Sequence, residues 1–148
     1  MIFIDTDVAI ALRDADPVTL RLIDELPELP VIAMITRIEL ENGVNAETAH
    51  APLRRKLLDR FLETIAVEMF THADILAYGA IISAAAHPEL PAPAKAGVEG
   101  RTTLDRLIAA QAIARDATLI TRNGKDFRRI EGLKLEEWEA LEPGLGMK

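Results

Sequence analysis

The sequence predicts an α/β fold, a three-layer α/β/α sandwich with a mainly parallel central sheet. Continuous apolar runs of strand length, such as Met1-Ile2-Phe3-Ile4 and Val31–Ile35, do not alternate with polar residues and are typical of strands buried on both faces. Helical patterns separate these runs, as in chains of βαβ units. The 148 residues are 49% hydrophobic and 28% charged, a composition that excludes intrinsic disorder.

Strands and helices alternate along the chain. The predicted strands are Met1–Ile4, Val31–Ile35, Ile65–Phe70, Ala117–Thr121 and Leu133–Glu137, the last at an edge of the sheet. The predicted helices are Val8–Leu12, Pro17–Leu26, Ile38–Glu41, Ala51–Thr64, Thr71–His87 and Thr103–Ala114. These elements make one domain over residues 1–141, followed by a loose C-terminal tail at 142–148 that contains two glycines and a proline.

Local signals set several of these boundaries. Pro17 suits the first turn of a helix, and Asn42-Gly43 is a typical helix end. The stretch Pro88–Gly100 holds three prolines and two glycines and is predicted to be a loop. In the helix Thr71–His87, helical spacing predicts an inward-facing stripe, formed by Ala73, Leu76, Ala80, Ile81 and Ala84. A basic stripe on Ala51–Thr64 is predicted to be solvated and comprises Arg54, Arg55, Lys56 and Arg60.

Composition narrows the functional classes. The net charge of −7 argues against a general nucleic-acid coat, which would carry a basic surface. It leaves room for an enzyme that acts on nucleic acid through metal ions, because the ions supply the positive charge. No apolar run has the length of a membrane span, and no secretory signal is recognised, so no membrane association is expected. With no cysteine, a cytoplasmic location is expected.

Acidic side chains recur where predicted strands end. Asp5 follows the first strand, Glu39 comes just after the second, and Asn123 and Asp126 follow the fourth. Asp105 lies near the start of the helix that leads into the fourth strand. Strand carboxyl ends and helix N-termini share one edge of a parallel sheet, where ligands bind. We therefore expect these side chains to converge there.

Helix capping offers an alternative explanation for each acid taken singly. Asp5 or Thr6 can cap the first helix, and Thr36-x-x-Glu39 and Thr102-x-x-Asp105 have capping-box spacing. Acids in a first turn are also favoured by the helix dipole. Capping does not explain why Asp105 lies beside Ile108, Ala109 and Ala112 on a helix, where an unpaired charge is costly. A cation bound to the acids would relieve that cost.

A cluster of carboxylates without histidine or cysteine is a hard oxygen site. Such a site suits Mg²⁺ or Mn²⁺ and disfavours structural zinc. An ion held there lowers the pKa of a water molecule and offsets charge on a phosphodiester. The sequence does not distinguish one ion from two. The three histidines share no metal-ligand spacing and are expected at the surface: His50, His72 and His87.

The ordered set of motifs resembles the PIN-domain nucleases, and more narrowly the VapC-type toxins of toxin–antitoxin pairs. The resemblance rests on four motifs in order along the whole chain: Asp5-Thr6-Asp7, Glu39-Leu40-x-x-Gly43, Asp105-x-x-Ile108-Ala109-Ala110 and Thr121-x-Asn123-x-x-Asp126-Phe127. It implies a Mg²⁺- or Mn²⁺-dependent endoribonuclease that hydrolyses RNA with a metal-activated water, is inhibited by a small cognate antitoxin, and is usually a homodimer.

Carried over by position, the resemblance makes Asp5, Glu39 and Asp105 the core catalytic metal ligands and Asp126 a fourth. Members of the family place that fourth acid at the Asn123 or the Asp126 position, and Asp126 is preferred because a neutral amide is the weaker ligand. Asn123, with Thr6 or Thr121, would be a supporting polar group. The family more often has Asn at the position of Asp7. An extra carboxylate there either tightens metal binding or caps the first helix, and we expect the cap.

Two other functional classes remain open from the sequence. The first motif also resembles the nucleophile motif of HAD-type phosphohydrolases, with Asp5 phosphorylated and Asp7 as acid or base. That family needs a late Gly-Asp-x-x-x-Asp motif, and the chain has no Gly-Asp pair. The second alternative is a non-catalytic PIN-like binding module. Four basic residues flank the acids and are either RNA contacts or ordinary surface charge: Arg101, Arg122, Lys125 and Arg128.

Overall fold

The computed structural model describes residues 1–85 and 96–139. Its strands are β1 (Ile2–Ile4), β2 (Val31–Ala33), β3 (Ala66–Glu68), β4 (Thr118–Thr121) and β5 (Lys134–Glu137). Its helices are α1 (Thr6–Arg13), α2 (Pro17–Asp24), α3 (Met34–Asn45), α4 (Ala51–Thr64), α5 (His72–Ala85) and α6 (Ala96–Ala114), with a short 3₁₀ turn at Gly124–Asp126. The predictions for residues 88–95, for His87 and for the tail 142–148 concern residues outside the described part of the chain.

All five strands are parallel, in the order β3-β2-β1-β4-β5. The first strand therefore lies at the centre, with Phe3 paired to Val31 on one side and to Leu119 on the other. The parallel α/β prediction is confirmed, and β5 is the predicted edge strand. Because β1 and β4 are neighbours, the ends of two strands that are far apart in sequence meet at one point.

The core has two halves, one on each face of the sheet. Successive residues of a strand face opposite sides, so Phe3 packs in one cluster and Ile4 in the other. The first cluster includes Ile32, Leu58 and Phe61, and the second includes Ile81 and Ile108. Helices cover both faces, which explains why the strands are apolar throughout.

Three predicted helix boundaries are wrong. α3 begins at Met34, so Met34 and Ile35 belong to a helix, and it continues through Asn42-Gly43 to Asn45. α6 begins at Ala96, so residues 96–100 are helical where a loop was predicted. At each of these points the local sequence signal favoured another structure, but the neighbouring helix continues through it. Tertiary context commonly overrides local propensity in this way.

The predicted inner stripe of α5 is also wrong. Only Ile81 of that stripe is buried, while Leu76 is 63% exposed and Ala73, Ala80 and Ala84 are exposed. Between Ile75 and Ala85 the helix has no charged residue, so hydrophobicity does not mark its inner face. Among residues 1–85 and 96–139, no helix combines the length and the hydrophobicity that crossing a bilayer requires.

Candidate active site

Asp5 lies at the carboxyl end of β1, buried to 4% exposure. Its Oδ1 accepts a hydrogen bond of 3.0 Å from the backbone N–H of Val8, so Asp5 is the N-cap of α1. Its Oδ2 accepts a hydrogen bond from the hydroxyl of Thr121. Burial raises the pKa of Asp5 from 3.8 to about 6, although these two hydrogen bonds oppose the shift. Asp5 thus serves as a helix cap and lies at the candidate site as well.

Asp7 does not cap the helix as predicted. It is an exposed acid in the first turn of α1, because Asp5 already holds the N-cap position. Asp7 still matters to the site through its charge, which raises the pKa values of Asp5, Glu39 and Asp105.

Glu39 projects from the second turn of α3 toward the end of β1. The hydroxyl of Thr6 donates to Glu39 Oε1 at 2.7 Å and lies 3.2 Å from the hydroxyl oxygen of Thr36. The capping-box interpretation of Thr36 and Glu39 is wrong, because α3 starts at Met34 and its N-cap is Ala33, three residues before Thr36. Thr36 is instead fully buried and contributes to the hydroxyl pair that holds Glu39.

Desolvation raises the pKa of Glu39, and the hydrogen bond from Thr6 opposes this increase. The charge of Asp7 adds to the increase, and the charge of Arg101 counteracts it. Arg101, an exposed cation, is therefore near enough to Glu39 for its charge to act on that carboxylate.

Asp105 lies in the interior of α6, and the predicted cap at Thr102 is wrong because the helix begins at Ala96. Nine residues of helix, about 14 Å at 1.5 Å per residue, precede Asp105. Ile108, Ala109 and Ala112 are buried, so Asp105 lies at the margin of the packed face, as its spacing indicated. Burial raises the pKa of Asp105 to about 7, with further increases from the charges of Asp126, Glu39, Asp5 and Asp7.

Asp126 is exposed at the end of the 3₁₀ turn that follows β4. The amide of Asn123 donates to its Oδ2, and the backbone N–H of Asn123 donates to the hydroxyl of Thr121 at 2.9 Å. Thr121, Asn123 and Asp126 therefore form a chain of hydrogen bonds that begins at Asp5. This places the predicted supporting groups between two of the predicted acids.

The site residues fit a divalent cation by their chemistry. They offer carboxylate oxygens only, and the repulsion among them together with burial raises the pKa values of Asp5, Glu39 and Asp105. Each of Asp5, Glu39 and Asp126 accepts a hydrogen bond from a neighbouring side chain. Among residues 1–85 and 96–139, no group of three histidine, aspartate or glutamate side chains lies close enough together to hold one metal ion.

The four predicted RNA contacts lie in different surroundings. Arg122 extends to α2, where it donates to Thr19 and lies 3.4 Å from Asp16 Oδ2. Arg128 forms a bidentate ion pair with Glu137 at 2.5 and 2.8 Å. Both are already paired within the fold. Arg101 and Lys125 are exposed, and in the described part of the chain neither is in an ion pair.

Two residues of the site were missed in the sequence. Thr36 was interpreted only as a cap, and Gly124 was not considered. A Cβ on Gly124 would lie 1.8 Å from Glu137 Oε1 and 2.8 Å from Glu137 Cγ. Glycine therefore leaves room beside the 3₁₀ turn for the carboxylate of Glu137, which pairs with Arg128. Neither role has a local sequence signal, because both depend on partners in distant elements.

Comparison with known proteins agrees with this architecture. The PIN domain family model matches residues 2–133. Ribonuclease VapC2 of Rickettsia felis is 35% identical over 108 residues, which cover 73% of this chain and 73% of that protein.

Solved structures of VapBC complexes contain chains with a similar fold. The crystal structure of VapBC2 from Rickettsia felis bound to a promoter DNA fragment contains a similar chain, with a TM-score of 0.79, 26% identity, and coverage of 94% of this chain and 100% of that one. For VapBC-1 from nontypeable Haemophilus influenzae the TM-score is 0.73, with 26% identity and coverage of 93% and 98%. The chain therefore belongs to the PIN-domain family, as a member of the VapC type.

Proposed function

We propose that this protein is a metal-dependent endoribonuclease and the toxin of a type II toxin–antitoxin pair. The observation that carries the proposal is the set of acids at one sheet edge, in which Asp5, Glu39 and Asp126 are joined by Asp105 from α6. The similarity to Ribonuclease VapC2 supports RNA as the substrate. The full set of acids argues against a non-catalytic module.

In this proposal Asp5, Glu39, Asp105 and Asp126 hold Mg²⁺ or Mn²⁺. A bound ion would lower the pKa of a water molecule and offset negative charge on the phosphodiester. Thr121 and Thr6 orient Asp5 and Glu39 through the hydrogen bonds described above. The amide of Asn123 restrains the exposed carboxylate of Asp126 by donating a hydrogen bond to it. Fixed carboxylates matter because misplacement by about 1 Å can reduce a rate about a hundredfold.

The HAD-type alternative requires Asp5 to attack a phosphoryl group. Both carboxylate oxygens of Asp5 are engaged, one by the backbone of Val8 and one by Thr121. This arrangement suits a fixed ligand better than a nucleophile. Membership of the PIN family argues in the same direction.

RNA cleavage by purified protein tests the proposal. The wild type is assayed with Mg²⁺, with Mn²⁺ and with EDTA, beside Asp5→Asn and the control Asp24→Asn, which changes an exposed acid at the end of α2. We expect metal-dependent cleavage by the wild type and the control only. Asparagine is also a good N-cap, so Asp5→Asn should keep its fold. Equal cleavage in all conditions would contradict the proposal, and a phosphoenzyme trapped on Asp5 would favour the HAD-type reaction.

The proposal includes a cognate antitoxin and a homodimer. The similar chains were solved as VapBC assemblies, which supports a protein partner for this chain. For the dimer, support comes from exposed apolar side chains on α3, on the segment after β3 and on α5. They are Ile38, Met69, Ile75 and Leu76, exposed by 47%, 65%, 52% and 63%. Leu76→Glu should shift a dimer to monomer in sedimentation, whereas Leu53→Glu, at another exposed leucine, should not. RNA as substrate and the absence of cysteine favour a cytoplasmic location.

A further inference from the structure

The side chain of Gln111 is fully buried on α6 and bonds to the backbone of two other elements. Its Oε1 accepts a hydrogen bond of 2.9 Å from the backbone N–H of Met34, the first residue of α3. Its Nε2 donates to the carbonyl oxygens of Glu68 at 3.0 Å and of Met69 at 3.4 Å, where β3 ends. One amide group therefore joins α6, the start of α3 and the end of β3.

The N–H of Met34 needs an acceptor from outside its own helix, because the N–H groups of a first turn have no intrahelical partner. A side-chain oxygen at the N-cap usually satisfies one of these groups, as Asp5 does for α1 and Asp16 for α2. The N-cap of α3 is Ala33, and alanine has no side-chain oxygen. Gln111 supplies an acceptor for this helix end from α6.

The bond to Met34 restrains the direction of α3. Strand β2 ends at Ala33 and α3 begins at the next residue, so the two are joined without a loop. A small rotation about the backbone bonds at this junction would displace the whole helix. Ala33 lies opposite Glu68 in the sheet, so the amide of Gln111 spans the ends of two neighbouring strands. The start of α3 is thereby held to the sheet and to α6 at one point.

Arg115, one turn further along α6, fixes the same end of β3. Its Nη2 donates to the carbonyl oxygen of Met69 at 2.7 Å, and its Nε donates to the carboxylate of Glu68 at 3.1 Å. Its Nη1 forms an ion pair at 2.6 Å with Asp74, which is fully buried. These contacts hold β3 to α6 independently of the amide, so the bond to α3 is what Gln111 adds.

This bond concerns the acidic site because α3 and α6 each carry one of the acids. Glu39 lies five residues after Met34, about 7.5 Å along α3, and Asp105 lies six residues before Gln111, about 9 Å along α6. Both stretches are continuous helix, so joining Met34 to Gln111 sets the separation of the two acidic residues. Thr6 holds the carboxylate of Glu39 from α1, whereas Gln111 holds its helix.

We propose that Gln111 is a positioning residue of the metal site. Its amide fixes α3 against α6, so that Glu39 and Asp105 serve the same divalent ion. The inference rests on the proposed nuclease function and adds to it a residue that is remote from the acids. A glutamine confined to a role in stability would affect the fraction of folded protein but not the metal affinity of the folded molecule.

Gln111→Met tests the proposal, because methionine has a similar length and lacks the amide. Mn²⁺ affinity is measured by the electron paramagnetic resonance of unbound Mn²⁺, in the absence of RNA. We expect binding about tenfold weaker than for the wild type. The control is Leu22→Ala on α2, where the side chain packs against the first core cluster, whereas the apolar residues of α6 pack in the second. Both variants should lower the urea midpoint, but Leu22→Ala should keep the Mn²⁺ affinity of the wild type.

Double variants test whether Gln111 acts through α3. In the background Glu39→Gln, Gln111→Met should cause no further loss of Mn²⁺ affinity, because the ligand that it positions has already been removed. In the background Asp126→Asn the loss should persist, since Asp126 follows β4 and lies on neither helix. A general loosening of the fold would weaken binding in both backgrounds.

Hydrogen exchange of the Met34 amide provides a measurement that needs neither metal nor RNA. The amide should be protected in the wild type and should lose its protection in Gln111→Met. Gln111→Asn is the milder variant, because its amide is one methylene too short to reach both Met34 and Glu68. It should reduce Mn²⁺ affinity and Met34 protection in the same direction, and it replaces Gln111→Met if that variant does not fold.

The outcomes separate this proposal from the nuclease. Unchanged Mn²⁺ affinity of the Gln111 variants would overturn the positioning role, and so would a loss that persists in the background Glu39→Gln. In either case RNA cleavage by the wild type would leave the nuclease standing. A loss of Mn²⁺ affinity that disappears in that background, together with a wild type that cuts no RNA, would support the positioning role and overturn the nuclease.

Discussion

The hydroxyl of Thr121 donates to the carboxylate of Asp5, although 116 residues separate them in sequence. The contact exists because β1 and β4 are adjacent parallel strands, with Ile4 opposite Ile120. It joins the first acid of the chain to the segment that carries Asn123 and Asp126. The two halves of the acidic site are thereby held in one position.

We predict that Thr121→Val lowers the free energy of unfolding by about 1–3 kcal/mol. The shape is kept, but Asp5 loses its buried donor and the backbone N–H of Asn123 loses its acceptor. Urea unfolding followed by the fluorescence of Trp138, the single tryptophan, measures this change. The control is Thr118→Val on the same strand, which should change stability by less than about 0.5 kcal/mol. Equal effects of the two variants would contradict the prediction.

Stability should fall with increasing pH when divalent cations are removed. The folded protein holds protons on Asp5 and Asp105 with pKa values of about 6 and 7, whereas the ordinary pKa of both carboxyl groups is 3.8. The native state therefore binds more protons than the unfolded chain between these values, and stability is lost as the pH rises through the folded pKa values. For buried Asp5 alone the loss is about 3 kcal/mol.

Urea unfolding in EDTA from about pH 4 to about pH 8 measures this dependence. Asp5→Asn should make the curve flatter, since asparagine does not titrate. Adding Mn²⁺ near pH 8 should restore stability to the wild type, because an ion that binds only the native state stabilises it. A free energy of unfolding that rises across this range would be inconsistent with the raised pKa values.

Thr6→Val should reduce RNA cleavage about tenfold with little change in stability. The variant removes the donor that fixes Glu39 Oε1 at 2.7 Å, and the pKa of Glu39 should rise further. Thr6→Ser keeps the hydroxyl and should restore cleavage. Initial rates with saturating Mn²⁺ measure the effect. The prediction fails if valine and serine give the same rate.

Gly124→Ala should destabilise the protein by about 1 kcal/mol, whereas Gly43→Ala should stabilise it by about 0.5–1 kcal/mol. The added Cβ at Gly124 meets the side chain of Glu137, which must move and lose its pairing with Arg128. Gly43 lies within α3 with no neighbouring atom within 4 Å of its Cβ position. Thermal or urea unfolding compares the two. In the background Glu137→Ala the cost of Gly124→Ala should disappear, and a persistent cost would refute the steric explanation.

Much of the fold followed from the sequence for a simple reason. Strands buried on both faces are apolar throughout, and such runs separated by helices permit few arrangements. This reasoning fails for α5, because apolar residues lie on all sides of that helix. Only packing against α6 and the sheet decided that Ile81 is buried and that Leu76 and Ala80 are exposed.

The sequence by itself determined the order of the acids and the parallel α/β class, because both depend on residue type and spacing. The tertiary structure decided which polar groups meet. It paired Asp5 with Thr121, placed Thr36 beside Thr6, and held Arg122 on α2. Hydrogen bonds between distant elements depend on strand order and helix position, which local patterns do not encode.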